Sequence, residues 1–106
     1  MSYKKIPSKF YVGGQEIEVR RVERCDNNVV GISFLAGGYI EIADKCNKCD
    51  DIPERAKINT FYHELTHSIL DTMGESDLSQ NEKFVNCFAG FLADAMSNAY
   101  FLEKDE

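Results

Sequence analysis

The chain predicts an α+β fold: a small, mainly antiparallel sheet at about residues 10–43, followed by two long helices, packed as one layered domain. Three observations carry this. Short β-rich runs separated by Gly and Asp/Asn turns fill the first part of the sequence. A proline-free stretch with helical periodicity follows Pro53 and stops at Gly74. A second apolar-periodic stretch begins just after Ser79.

Residues 1–14 open as a polar, Lys-rich segment that reaches a turn at Gly13-Gly14. Residues 15–21 alternate polar and apolar and read as a strand. Residues 25–28 form a turn and residues 29–35 a β-rich run. Ala36-Gly37-Gly38 makes a hairpin into a strand at residues 39–42, with Ile40 and Ile42 on one face. Residues 45–51 are a polar loop. Pro53 suits the first turn of a helix over residues 52–73, with Asp51 as its cap. A second helix covers about residues 78–102, and its apolar stripe (Val85, Phe88, Ala89, Leu92, Met96, Ala99) should pack on the first. At 106 residues the chain makes one domain without internal repeats.

The centre of the first helix carries the chemistry. His63-Glu64-Leu65-Thr66-His67 places the only two histidines one turn apart, so both imidazoles can reach one metal ion. Glu64, beside the first ligand, can face a metal-bound water and serve as general base. The flanks Thr60-Phe61-Tyr62 and Ser68-Ile69 carry no charge, which suits a buried metal helix better than a solvated one. Ile58, Phe61, Tyr62, Leu65 and Ile69 form one apolar stripe, and the histidines fall roughly 140–180° from Ile58. They therefore face a second surface, where a cleft can lie.

Catalytic zinc takes three protein ligands and leaves a fourth position open. Leu70 and Met73 stand where a metzincin would have its glycine and third histidine, which excludes that class. Glu82, beyond the break at Gly74-Glu75-Ser76, is the choice for third ligand. Asp71, one turn after His67, comes next and is better suited to supporting a ligand than to being one, and Glu75 follows. Ser79-x-x-Glu82 also fits a capping box that would occupy the glutamate, whereas Asp77-x-x-Gln80 would start the helix earlier and free it.

This arrangement resembles the gluzincin-type metallopeptidases, in which a downstream helix supplies a glutamate. Phe61-Tyr62-His63-Glu64-Leu65-Thr66-His67-Ser68-Ile69-Leu70, with Glu82-Lys83-Phe84-Val85 after it, is similar to the small metallopeptidases of phages and mobile elements related to the ImmA/IrrE group. The likeness covers roughly residues 38–96, and the N-terminal strands in outline. It implies a minimal zincin-like domain with one catalytic Zn2+ on His63, His67 and Glu82, and Glu64 as the catalytic group. The implied activity is hydrolysis of peptide bonds in a protein substrate, a phage or mobile-element regulator being the expected class. Thr66 stands where that group typically has glycine, and the attached helix-turn-helix domain common there is not expected of these 106 residues. Asn86 occupies the place of the carboxylate that often orients the first histidine, so a weaker hydrogen bond to His63 is expected.

Peptidases of this kind bind extended substrate along an edge strand. Gly38, Tyr39 and Ile40, just before the metal helix, are the expected strand, and Tyr39 the expected oxyanion donor. Tyr62 is a second donor candidate but fits the core stripe.

Composition sets bounds on the partners. Hydrophobic content of 43% and charged content of 28% are ordinary for a soluble protein. A formal charge of −6 argues against nucleic acid or an anionic membrane as partner. No long apolar span appears, so a cytoplasmic location is expected. Cys46-x-x-Cys49 lacks the second pair a structural zinc site needs, and with Cys25 and Cys87 these cysteines are expected to be free thiols. Two other readings stand beside the peptidase. One is a catalytically silent, zinc-stabilised binding module acting by contact as an anti-repressor or inhibitor. The other is a metal-free interaction domain with an accidental motif.

Overall fold

The computed structural model describes residues 6–26, 29–46 and 51–102. It is an α+β domain with strands β1 (Lys9–Val12), β2 (Gln15–Val22), β3 (Gly31–Phe34) and β4 (Tyr39–Ala43), then helices α1 (Glu54–Met73), α2 (Ser76–Ser79) and α3 (Glu82–Ser97). The four strands form one sheet in the order β1-β2-β4-β3. Two hairpins are local. Gly13 and Gly14 have φ of 58° and 83°, the double positive φ that a two-residue hairpin turn requires, and they place Val12 opposite Gln15. The β3–β4 hairpin closes through Gly37 N–H donating to Phe34 O and Gly38 N–H to Leu35 O. The two hairpins join through a parallel pairing of β2 with β4, from Glu18 opposite Tyr39 to Val22 opposite Ala43.

That pairing puts β4 inside the sheet and leaves β1 and β3 at its edges. The expectation that Gly38, Tyr39 and Ile40 form a substrate-binding edge is therefore corrected: hydrogen bonds on both sides of β4 already use its backbone groups. Ile40 and Ile42 do share one face, as their alternation predicts. With Ile17 and Phe61 they make a core cluster of side chains exposed by 2% or less. Each contributes about 1.5–3 kcal/mol of burial.

α1 lies between the sheet and α3; it touches β1, β3 and β4, whereas α3 touches only α1 and α2 among the described elements. The helix starts at Glu54, with Pro53 at the N-cap position and no side chain capping it, so Asp51 is not its cap. It ends as expected at Gly74, whose φ of 80° stops the helix with its N–H bonded to Asp71 O. The polar residues that α1 buries are satisfied along the helix: Thr66 Oγ1 donates to Tyr62 O at 2.7 Å and Ser68 Oγ to Glu64 O at 3.1 Å. Thr66 is thus satisfied within its own helix.

The expected second helix over 78–102 is two elements. α2 is one turn, and α3 starts at Glu82 because the Asn81 side chain accepts the Phe84 N–H at 3.0 Å. Neither expected capping box forms. Residues 98–102 are not helical. Val85, Ala89 and Ala93 are the buried face of α3, while Phe88 and Met96, expected to pack inward, are 47% and 39% exposed. Cys25 and Cys87 are free thiols as expected, but Cys46 is disulfide-bonded; Cys49 lies outside the described residues.

Candidate metal centre

Three side chains from two helices converge on one point. His63 and His67, four residues apart on α1, bring their Nε2 atoms within 3.3 Å of each other. Glu82, the first residue of α3, sets Oε1 3.5 Å from His63 Nε2 and Oε2 3.7 Å from His67 Nε2. Among the described residues this is the group of His, Cys, Asp and Glu ligands able to hold an ion. A tetrahedral ion with bonds of about 2.0–2.2 Å spaces its ligand atoms about 3.3–3.6 Å apart, so these separations fit one zinc-sized cation. The donor set, two imidazoles and a carboxylate, suits zinc.

Protonation favours the same arrangement. Burial first, then the neighbouring His67, pushes the His63 imidazole below its ordinary value of 6.5, against opposing effects of Glu82 and the Asn86 hydrogen bond. A neutral imidazole leaves a lone pair for a cation. Each ring also has a polar neighbour outside the ligand set. His67 Nδ1 lies 3.0 Å from Ser79 Oγ, in the single turn of α2, and His63 is hydrogen-bonded by Asn86 on α3. An N–H from His67 Nδ1 to the hydroxyl leaves Nε2 facing the cluster. Asn86 lies beside His63 in the cleft wall. Ser79 was missed, since it was read as a helix cap; its signal is only that it precedes the Glu82 helix.

Glu64 is 8% exposed, between α1 and β3. Burial, and secondarily the Glu82 charge, pushes its carboxyl up to about 7. Gly31 makes room for it: a Cβ at that position would lie 3.1 Å from Glu64 Oε2 and 2.5 Å from Thr60 Cγ2. A glycine in a strand marks such close approach, and this one was not read from the sequence. Asp71 is exposed in the last turn of α1 and outside the cluster, as is Glu75 in the following turn.

A cleft of about 510 Å3 opens beside His63 and Glu64, walled by Val29, Val30 and Gly31 ahead of and on β3, by Asn59 and Thr60 on α1, and by Asn86, Ala89 and Gly90 on α3. The edge strand at the centre is β3. Tyr39 is not there. It stands on the face of β4 opposite Ile40 and Ile42, hence away from α1, with its ring against Phe34 and under the Arg20 guanidinium at 4.0 Å. Its expected oxyanion role is corrected on that ground. Tyr62 packs against Phe61 beside the core. The polar side chains that the cleft does offer include the amides of Asn59, one turn before His63, and Asn86.

No helix among the described residues is long and apolar enough to cross a membrane. No protein-family model, curated protein or solved structure matches the chain.

Proposed function

We propose that this chain is a zinc-dependent peptidase, with one Zn2+ held by His63, His67 and Glu82 and Glu64 as the general base. The convergence of two imidazole nitrogens and a carboxylate at 3.3–3.7 Å, with an acidic side chain buried beside them, is the observation that supports it. Zinc in such a site supplies a Lewis acid and a water acidified toward neutrality. Glu64, with a carboxyl pushed up to about 7, is suited to accept a proton from water and pass it to the departing amine nitrogen. The free edge of β3 beside the cleft suits an extended peptide added as a further strand. Asn59, whose side chain lines that cleft, is the amide proposed to donate to a carbonyl oxygen bound along it. A protein substrate of the phage or mobile-element regulator class belongs to this reading through the gluzincin resemblance, and a cytoplasmic setting is proposed with it, supported by the lack of a membrane-spanning helix among the described residues.

The silent binding module is the second reading. It is favoured by one observation: the described residues lining the cleft include no tyrosine, no arginine and no histidine beyond His63. Metal analysis of protein purified without a histidine tag, followed by substrate trapping with Glu64→Gln, separates the readings. The peptidase requires one zinc per chain, retained in Glu64→Gln with cleavage abolished. Zinc without cleavage of trapped partners would favour the silent module, and a chain that binds no zinc would defeat both.

A further inference from the structure

Gly90 is a glycine that the fold itself does not require. It lies in the interior of α3, where glycine is a poorer helix former than every residue but proline. Its φ is not positive, and a Cβ built on it would meet nothing within 4 Å. Neither turn geometry nor close packing of the chain accounts for the missing side chain. In front of it is open space. The cleft of about 510 Å3 beside His63 and Glu64 and a second cavity of about 480 Å3 share Asn59, Asn86 and Gly90, so the two meet at that neck.

The neck belongs to a polar seam between two helices that run in opposite directions. On α1, His67, His63, Asn59 and Arg55 stand at successive four-residue steps; on α3, Glu82, Asn86, Gly90 and Asp94 do the same. Glu82 meets both histidines and Asn86 bonds His63. At the far end Asp94 Oδ1 lies 3.9 Å from Arg55 Nη2 and accepts from Asn98 Nδ2 at 3.0 Å. Along this seam Gly90 alone offers no side chain.

We propose that Gly90 floors a specificity subsite for the peptide substrate, one that takes a large uncharged side chain about two residues from the scissile bond. The inference rests on the peptidase reading for its ligand. A strand added at the free edge of β3 would lie about 4.8 Å from it, over the gap between β3 and α3. A side chain at Gly31 would point at Thr60 and Glu64 of α1, and alternate side chains of the added strand would point the same way, onto the seam. Four residues of α1, a rise of about 6 Å, separate His63 from Asn59. Two residues of extended chain span about 6.6 Å. A residue over the metal therefore sets the one two places along at the neck, where Gly90 gives depth and Phe91 an apolar wall. Arg55 and Asp94 offset each other there, so a charged side chain gains no free partner.

The test is a library of short capped peptides incubated with the zinc-loaded full chain, the cuts being read by mass spectrometry. The expected pattern is enrichment of leucine, methionine or phenylalanine at one position two places from the cut. Gly90→Leu fills the space, so it should lower kcat/KM for those peptides about 10-fold or more relative to peptides with glycine or alanine at that position. Gly90→Ala should melt at or above the native temperature, because nothing packs on the glycine. Phe91→Ala, at a side chain 78% exposed, should weaken the same preference and decides the matter where Gly90→Leu misfolds. A native chain that cuts nothing defeats hydrolysis alone. The peptides it captures then read the subsite, through the same enriched position and its loss in Gly90→Leu. Cleavage or capture without preference at that position, or a preference that Gly90→Leu and Phe91→Ala leave unchanged, would overturn the subsite while leaving the peptidase standing where cuts are seen. A Gly90→Ala chain that melts below the native one, or a library from which nothing is cut or captured, would overturn it as well.

Discussion

Glu64 is a carboxyl that the fold makes costly to ionise. Its ordinary value is 4.5 and its value in the folded, metal-free chain is about 7, through burial and then the Glu82 charge. Between those values the folded chain holds a proton that the unfolded chain has released, so stability falls as pH rises from about 4.5 to about 7. Glu64→Gln removes the ionisation and keeps the shape. In zinc-free protein it is expected to gain on the order of 3 kcal/mol over the native chain above pH 7, and nothing below pH 4.5. Urea unfolding with a chelator across that range measures this; a difference that does not change with pH would refute the burial argument. A bound dication opposes the shift and should narrow the gap. The supporting hydrogen bonds give a second residue-scale prediction. Ser79→Ala or Asn86→Ala should weaken zinc binding about 10-fold, by freeing a ring from its orienting partner. Glu82→Ala should cost more and exposed Asp71→Ala almost nothing, as measured by chelator competition. The pairing of His63 with His67 was legible because helical spacing is local information; Glu82, on another helix, was chosen over Asp71 and Glu75 on the chemistry of a third ligand. Ser79 was not: which way its hydroxyl turns depends on the path of the chain through α2.

Among the elements, β3 has the closest relation to the candidate centre, and Gly31 is what permits it. A methyl group there would meet Thr60 Cγ2 at 2.5 Å, nearer than carbon atoms approach, and would crowd the Glu64 carboxyl. Gly31→Ala is therefore expected to push the strand off α1, costing about 1–3 kcal/mol. It should lower any peptide turnover while leaving zinc content intact, because none of the three proposed ligands lies on β3. Thermal unfolding together with metal analysis checks both halves; an unchanged midpoint would show that the contact is not tight. At this scale the sequence was legible where structure is local. The Gly13-Gly14 and Gly37-Gly38 turns and the Gly74 stop all form where turn chemistry places them. It was silent on the parallel pairing of β2 with β4, since alternation tells which face of Ile40 and Ile42 is buried but not which strand lies beside them. That pairing moved the edge from β4 to β3, and the expected edge strand and oxyanion donor were lost with it. Likewise, the apolar pattern of α3 could not say which of its two apolar faces would meet α1.

Seen as a whole, the molecule has a firm half and a weakly held one. The clusters around Ile17, Ile40, Ile42 and Phe61, and around Cys25, Ala43 and Ile52, lie between the sheet and the α1 side. α3 reaches no strand, and its buried face is one valine and two alanines, a smaller apolar surface than the isoleucine and phenylalanine cluster of the sheet. In the metal-free chain α3 should therefore open without the sheet, and amide exchange at Val85, Ala89 and Ala93 should outrun exchange at Ile17, Ile40 and Ile42. Zinc bound as proposed ties Glu82 at the start of α3 to both histidines of α1. At a zinc concentration 100 times the dissociation constant, opening α3 should then cost about 2.7 kcal/mol more. The decisive contrast is Glu82→Ala. Whatever zinc the two histidines still hold sits on α1 alone, so it should leave α3 exchange where it was in the metal-free chain. Exchange in α3 that ignores zinc in the native protein, or that slows equally in Glu82→Ala, would mean that the metal does not bridge the two helices.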